Sequence, residues 1–151
     1  MSKNVEIWSD GGARPNPGPG GWAFVLKFND IRSEVSGTEP NTTNNRMEIV
    51  AAIKALEALT EPCVVTLHTD STYLRDSIEK GWVNNWKRNN WVMEEGKQRP
   101  NRDLWEALLV LTAKHKVTFV KVKAHADNEN NNRCDELVGL ACNKAANAKG
   151  D

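Results

Sequence analysis

Asp10 closes a run in which Val5, Ile7 and Ser9 alternate with Glu6, Trp8 and Asp10, and Gly11 and Gly12 follow it at once. A period of two is that of a half-buried strand, and it puts Asp10 at the strand's C-terminal end. Glycines directly after a carboxylate let another stretch of backbone come close to it, the geometry of a ligand site. An Asp-Gly pair that only opens an Asx turn has the same local signature, so the choice rests on what lies downstream. The segment Pro15-Asn16-Pro17-Gly18-Pro19-Gly20-Gly21 follows.

Trp22, Phe24, Leu26 and Phe28 form a second alternating run, Asn29-Asp30 is a turn pair, and Ile31, Ser33, Val35 and Gly37 continue the period. Together these segments predict an antiparallel meander. The pattern changes at Thr42-Thr43-Asn44-Asn45, after which Ile49, Ala52, Ile53, Leu56 and Leu59 fall at helical spacing with Thr or Asn available as N-cap. Glu48, placed in the first turn, heads the row Glu48, Ala52, Ala55, Leu59, whose small residues would let the helix approach a sheet. The plainer reading is a first-turn Glu favoured by the helix dipole. Val64 to Thr69 is an apolar-rich strand ending at Asp70-Ser71, and a helix with Tyr73, Leu74, Ser77 and Ile78 inward follows. Strand, helix, strand predicts a parallel pairing, so Asp70 would share a sheet edge with Asp10 if their strands are neighbours.

Between Gly81 and Pro100, Trp82, Trp86 and Trp91 are interleaved with Lys87, Arg88 and several Asn. The segment reads as a projecting basic and aromatic element rather than a plain solvated loop. Asn101 or Asp103 opens a helix with Leu104, Trp105, Leu108, Leu109 and Leu111 inward, and Val117 to Val122 is the last strand. Residues 123–132 are polar and Asn-rich and are expected to form a mobile loop carrying His125. A lone loop His usually only solvates. Arg133 starts the final helix, with Asp135 in its first turn and Cys134, Leu137, Val138, Ala141 and Ala145 inward.

At 151 residues and 39% hydrophobic content, the chain suits one domain with a real core, read as residues 1–147 with a frayed tail at 148–151. Twenty basic and twenty acidic residues leave no net charge, so overall charge neither favours nor excludes nucleic acid. Locally, six basic residues between Lys80 and Arg102 face two acidic ones. Three cysteines without framework spacing predict reduced thiols and no zinc site. No apolar leader follows Met1 and no run approaches a membrane span, so a cytoplasmic protein is expected.

Asp10, Glu48, Asp70 and Asp135 all fall at ends of elements that a helix-covered sheet can converge. Four such anions could not all stay ionised without a cation. Carboxylate oxygens with at most one His and no thiolate pair favour Mg²⁺ or Mn²⁺ over Zn²⁺. Two such ions about 4 Å apart can hold a phosphodiester between attacking water and leaving oxygen, which suggests phosphodiester hydrolysis.

The ordered set SDGG at 9–12, NPGPGG at 16–21, TTNNRME at 42–48, TDS at 69–71, and His125 before RCDEL at 133–137 closely resembles bacterial type 1 ribonuclease H. The resemblance covers nearly the whole chain. It implies an α/β, ribonuclease H-like fold: a five-stranded mixed sheet with the first three strands antiparallel, the last two parallel to the first, and helices on both faces. It implies endonucleolytic hydrolysis of the RNA strand of RNA/DNA hybrids, leaving 3′-hydroxyl and 5′-phosphate ends. Asp10, Glu48, Asp70 and Asp135 would hold two Mg²⁺ ions, Asp10 between them and Mn²⁺ able to substitute, while His125 would assist proton movement or product departure. The backbone of Gly11, Gly12 and Ala13, with Glu48, would read the 2′-hydroxyl that distinguishes RNA. Asn16, Asn44 and Asn45 would read the minor groove, Thr43 would hold a DNA phosphate, and Trp82, Trp86, Lys87 and Arg88 would form a basic protrusion on the DNA backbone. A monomer without a membrane partner is expected.

The chain departs from the family pattern at Gly12, usually Ser; at Ala13, often Cys; and at Thr72, where Gln commonly reaches the groove. Thr72 is too short to replace every Gln contact, so lower hybrid affinity is expected. Ala124 and Asp127 replace the glycines of the usual KGHAG, stiffening the hinge and adding negative charge. The chain is also expected to lack a separate hybrid-binding domain. A noncatalytic hybrid-binding module would predict loss of a carboxylate, and a DNA-cutting or strand-transferring relative is disfavoured by the TTNNRME run and the basic segment.

Overall fold

The structure, a computed structural model, describes residues 3–122 and 128–149. Three long strands open the chain: β1 (Lys3–Ala13), β2 (Gly18–Phe28) and β3 (Ile31–Thr42). Helix α1 (Asn44–Glu57) leads to β4 (Cys63–Thr69), and α2 (Thr72–Glu79), α3 (Trp82–Arg88) and α4 (Arg102–Lys114) precede β5 (Lys116–Lys121) and α5 (Glu129–Lys149). The sheet order is β3-β2-β1-β4-β5, with β1, β2 and β3 antiparallel in turn and β4 and β5 parallel to β1. This is the five-stranded mixed sheet that the resemblance implies. No helix of the described residues is long and apolar enough to cross a membrane.

β1 differs from the expected half-buried strand: Ile7, Trp8, Ser9 and Asp10 are all buried. The cause is cover on both faces. Val5 and Ile7 join the main core beneath α1, with Ile49, Leu56, Leu67 and Trp105, whereas Trp8 packs with Val25 and Cys134 of α5. β3 is an edge strand, exposed along most of its length, including Ile31 and Val35.

α1 begins where Thr43, extended at φ −130° and ψ 161°, accepts the Arg46 N–H on its hydroxyl at 3.1 Å. The row Glu48, Ala52, Ala55 and Leu59 is buried throughout, so the small residues do bring α1 close to the sheet. Glu48 is the fifth helical residue, in the second turn rather than the first, which removes the dipole account of its presence. α5 likewise starts at Glu129, before the expected Arg133, so Asp135 also stands in a second turn. Asn128 accepts the Asn131 N–H at 3.0 Å on its side chain, converting the end of the Asn-rich run into a helix start. The helix continues through Lys149, into the stretch 148–151 where fraying is expected.

The segment after α2 is less of a free projection than its composition suggests. Val83 and Trp91 are buried in the main core. Trp86 is half-buried, edge-on to Trp105 with the Arg99 guanidinium 4.3 Å from its ring centre. Trp82, Lys87 and Arg88 of α3 are exposed, as are the flanking Lys80, Lys97 and Arg102, so the solvent-facing basic surface centres on α3 while its aromatic side is largely packed.

Candidate active site

Strand register makes the site. β1 pairs with β4 only as far as Trp8↔His68, while its pairing with β2 continues to Ala13↔Gly20. Asp10 and Asp70 each lie two residues past that last parallel pair, at the same level of the sheet. Beyond the end of β4, α1 takes over: the Gly11 N–H donates to Glu48 Oε1. The approach depends on Gly11, since a Cβ there would lie 2.3 Å from both the carbonyl carbon and oxygen of Met47. The close backbone approach expected from Asp-Gly-Gly is therefore that of α1.

Carboxylate oxygens of Asp10, Glu48 and Asp70 lie within 4.8 Å of one another. Asp10 and Glu48 are buried and Asp70 is exposed. Burial, reinforced by the Asp70 carboxylate, pushes the Asp10 carboxyl up to about 7. Burial and the Asp10 charge hold Glu48 well above its ordinary value. Loss of water around the carboxyl where it faces the cluster also raises Asp70, although the residue as a whole is exposed, with the Asp135 charge adding to it. Ion pairs of the described residues bypass all three. A compact all-oxygen set whose charges oppose one another fits a hard divalent cation.

Asp135 lines the same open cavity of about 310 Å³, together with Gly11, Gly12, Asn44, Asn45 and Ser71. It is not one of the three clustered carboxylates; it is exposed on α5, with Oδ1 3.4 Å from Nη2 of Arg14. Arg14 is a site residue that sequence reasoning passed over, because it sits in a turn with no periodic pattern. Cys134, beside Asp135, is buried, its thiol is driven up to about 12 by burial, and it donates to the Trp8 carbonyl at 3.3 Å. It is a packing group.

The proposed substrate readers divide in two. Asn44 accepts the Ala13 N–H on Oδ1 at 2.8 Å, and its own N–H donates to Asn16 Oδ1 at 3.1 Å, so Asn16 and Asn44 pin the segment after Asp10. Gly12 faces Asn44 Oδ1 and Val138, which bound the space a serine there would enter. Asn45 is exposed at the cavity and Thr72 is exposed at the start of α2. Thr43 serves as the α1 cap. Arg46 forms a two-pronged pair with Asp103, at 3.1 and 2.6 Å, that ties the Glu48 end of α1 to α4. His125, Ala124 and Asp127 lie outside the described residues.

A family model for RNase H matches residues 2–143. A ribonuclease H of Chlorobium phaeobacteroides (strain BS1) is 54% identical over 141 residues, 93% of this chain and 97% of its own. One from Chlorobaculum parvum is 51% identical with the same coverage. LC9-RNase H1, a type 1 RNase H with the type 2 active-site motif, aligns at a TM-score of 0.85 and 26% identity over 96% of this chain and 74% of that one. LC11-RNase H1 in complex with RNA/DNA hybrid aligns at 0.69 and 26%, covering 94% and 99%. Fold, sequence and clustered carboxylates agree: the chain belongs to the ribonuclease H family of nucleases.

Proposed function

We propose that this chain cuts the RNA strand of RNA/DNA hybrids endonucleolytically, leaving 3′-hydroxyl and 5′-phosphate ends, within a catalytic domain of residues 1–147 acting as a cytoplasmic monomer. The observation that carries this reading is the cluster of Asp10, Glu48 and Asp70 within 4.8 Å, with two members buried. Asp10, Glu48, Asp70 and Asp135 would hold two Mg²⁺ ions, with Mn²⁺ able to substitute. Such ions, when bound, polarise the phosphate and make water a better nucleophile.

The chain's own groups supply position. The bond from Gly11 to Glu48 and the bond from Ala13 to Asn44 fix residues 11–13 beside the carboxylates, where their backbone and Glu48 would meet the 2′-hydroxyl. Asn16, Asn44, Asn45 and Thr72 would face the minor groove, Thr43 a DNA phosphate, and Trp82, Trp86, Lys87 and Arg88 the DNA backbone farther along. His125 would move a proton near the leaving group. The test compares cleavage of RNA/DNA, RNA/RNA and DNA/DNA duplexes, with and without Mg²⁺, by wild type and Asp10→Asn. Only the hybrid should be cut, only with the ion, and Asp10→Asn should lose nearly all turnover while still binding hybrid. Equal cutting of all three duplexes, or near wild-type turnover by Asp10→Asn, would refute the reading.

A further inference from the structure

Arg14 is the one cationic side chain among the described residues that line the carboxylate cavity. Its backbone is held by donation from Arg14 N–H to the Pro19 carbonyl at 2.9 Å. Its guanidinium lies along α5: Nη2 is 3.4 Å from Asp135 Oδ1, and Nη1 is 2.9 Å from where a Cβ on Gly139 would be. Asp135 and Gly139 are four residues apart on α5, hence on one helix face. A glycine one turn beyond the acid gives the guanidinium room to lie flat there.

We propose that Arg14 is a built-in counter-cation of the metal site, a positioning residue that competes with divalent ions for Asp135 and so sets how tightly the chain binds them. This rests on the metal-dependent reading above. Among the four proposed ligands, Asp135 is the one with an ion-pair partner among the described residues, and the one outside the tight cluster. An ion that recruits Asp135 competes with the guanidinium for the carboxylate's charge. The Arg14–Asp135 contact is long, with side chains 55% and 70% exposed, so its effect is that of a surface pair and is screened by salt. Removing the competing charge should tighten ion binding by about two- to five-fold at low ionic strength, the range expected for an exposed pair.

The experiment is calorimetric titration of the hybrid-free protein with Mg²⁺ and with Mn²⁺, for wild type, Arg14→Ala, Arg14→Lys and Asp10→Asn. Arg14→Ala should bind more tightly by that factor at low salt and converge on wild type at high salt. Arg14→Lys, which keeps the charge, should stay nearer wild type than Arg14→Ala. Wild-type binding that Asp10→Asn loses, combined with an Arg14→Ala affinity no higher than wild type, overturns the role of Arg14 and leaves the metal site standing. An Arg14→Lys protein that matches a tightened Arg14→Ala protein also overturns it, because charge would then not be the cause. Binding unaffected by Asp10→Asn, or absent from wild type, removes the metal site and this inference with it.

Discussion

Gly11 shows how one residue couples the sheet to the chemistry. Its missing side chain admits the carbonyl of Met47, and its N–H, left beyond the end of β4, donates to Glu48. Gly11→Ala would drive a methyl group into main-chain atoms that no rotamer change can move aside. Such overpacking typically costs about 1–3 kcal/mol, and the shift needed to relieve it would carry Glu48 away from Asp10. Urea unfolding should show that loss of stability, and hybrid cleavage should fall more than hybrid binding. Unchanged stability would mean that α1 tolerates displacement. Asp-Gly-Gly announced a close approach in the sequence, and so did the small-residue row below Glu48. The occupant of the approach was not legible, because it depends on where β4 ends. Arg14 was less legible still: a turn residue gives no periodic signal, and its partner Asp135 is distant in sequence.

Among the elements, the regular ones were the readable ones. The meander, α1, β4 and the inward residues of α4 and α5 follow from periods of two and 3.6. The segment from Trp82 to Arg99 resisted because its backbone is irregular: Asn90 and Trp91 are left-handed at φ 57° and 63°. Trp91 therefore reaches the core without any stripe to announce it. The first turn of α5 was hidden for a different reason. Asn is a weak helix former, and this turn is held by polar contacts, the Asn128 cap and Arg32 to Asn130 at 3.1 Å, with Arg133 to Glu34 at 2.8 Å securing the turn after it. For α3 the packing has a useful consequence. Trp86 and Val83 anchor the helix while Lys87 and Arg88 remain exposed, so changing both basic residues to Ala should not unfold it. If these side chains touch phosphates without reading bases, the double variant should bind hybrids of different sequence with equally reduced affinity. The slope of log affinity against log salt should flatten by roughly one unit per lost contact. An unaltered slope would remove α3 from the interface.

For the whole molecule, the carboxylate cluster links stability to pH and to ions. Asp10 titrates near 7 in the fold against an ordinary value of 3.8, so the fold favours its protonated form. The stability this contributes is complete below about pH 4 and is lost as pH rises toward 7; Glu48 and Asp70, also raised, act in the same direction. Glu34, Asp76 and Asp103 are lowered, chiefly by hydrogen bonds from Arg133, Arg75 and Arg46. Their contributions are lost only as pH falls through the acid range, so they leave this window alone. His115 opposes the trend: buried, accepting the Cys63 N–H on Nδ1 at 3.1 Å and lowered by burial, it adds stability as pH rises toward its ordinary value. Comparison with Asp10→Asn separates the two, because that variant keeps His115. In chelator, wild type should lose more stability than Asp10→Asn between pH 5 and pH 8, by an amount on the order of a few kcal/mol. Saturating Mg²⁺ should restore most of the wild-type loss at pH 8 and little at pH 5, because ions require the deprotonated ligands and stabilise only the state that holds them. Urea unfolding at the two pH values, with Mg²⁺ and with chelator, measures all of these. Parallel pH profiles for wild type and Asp10→Asn would show that the three carboxylates do not repel in solution, and the physical case for a cation among them would fall.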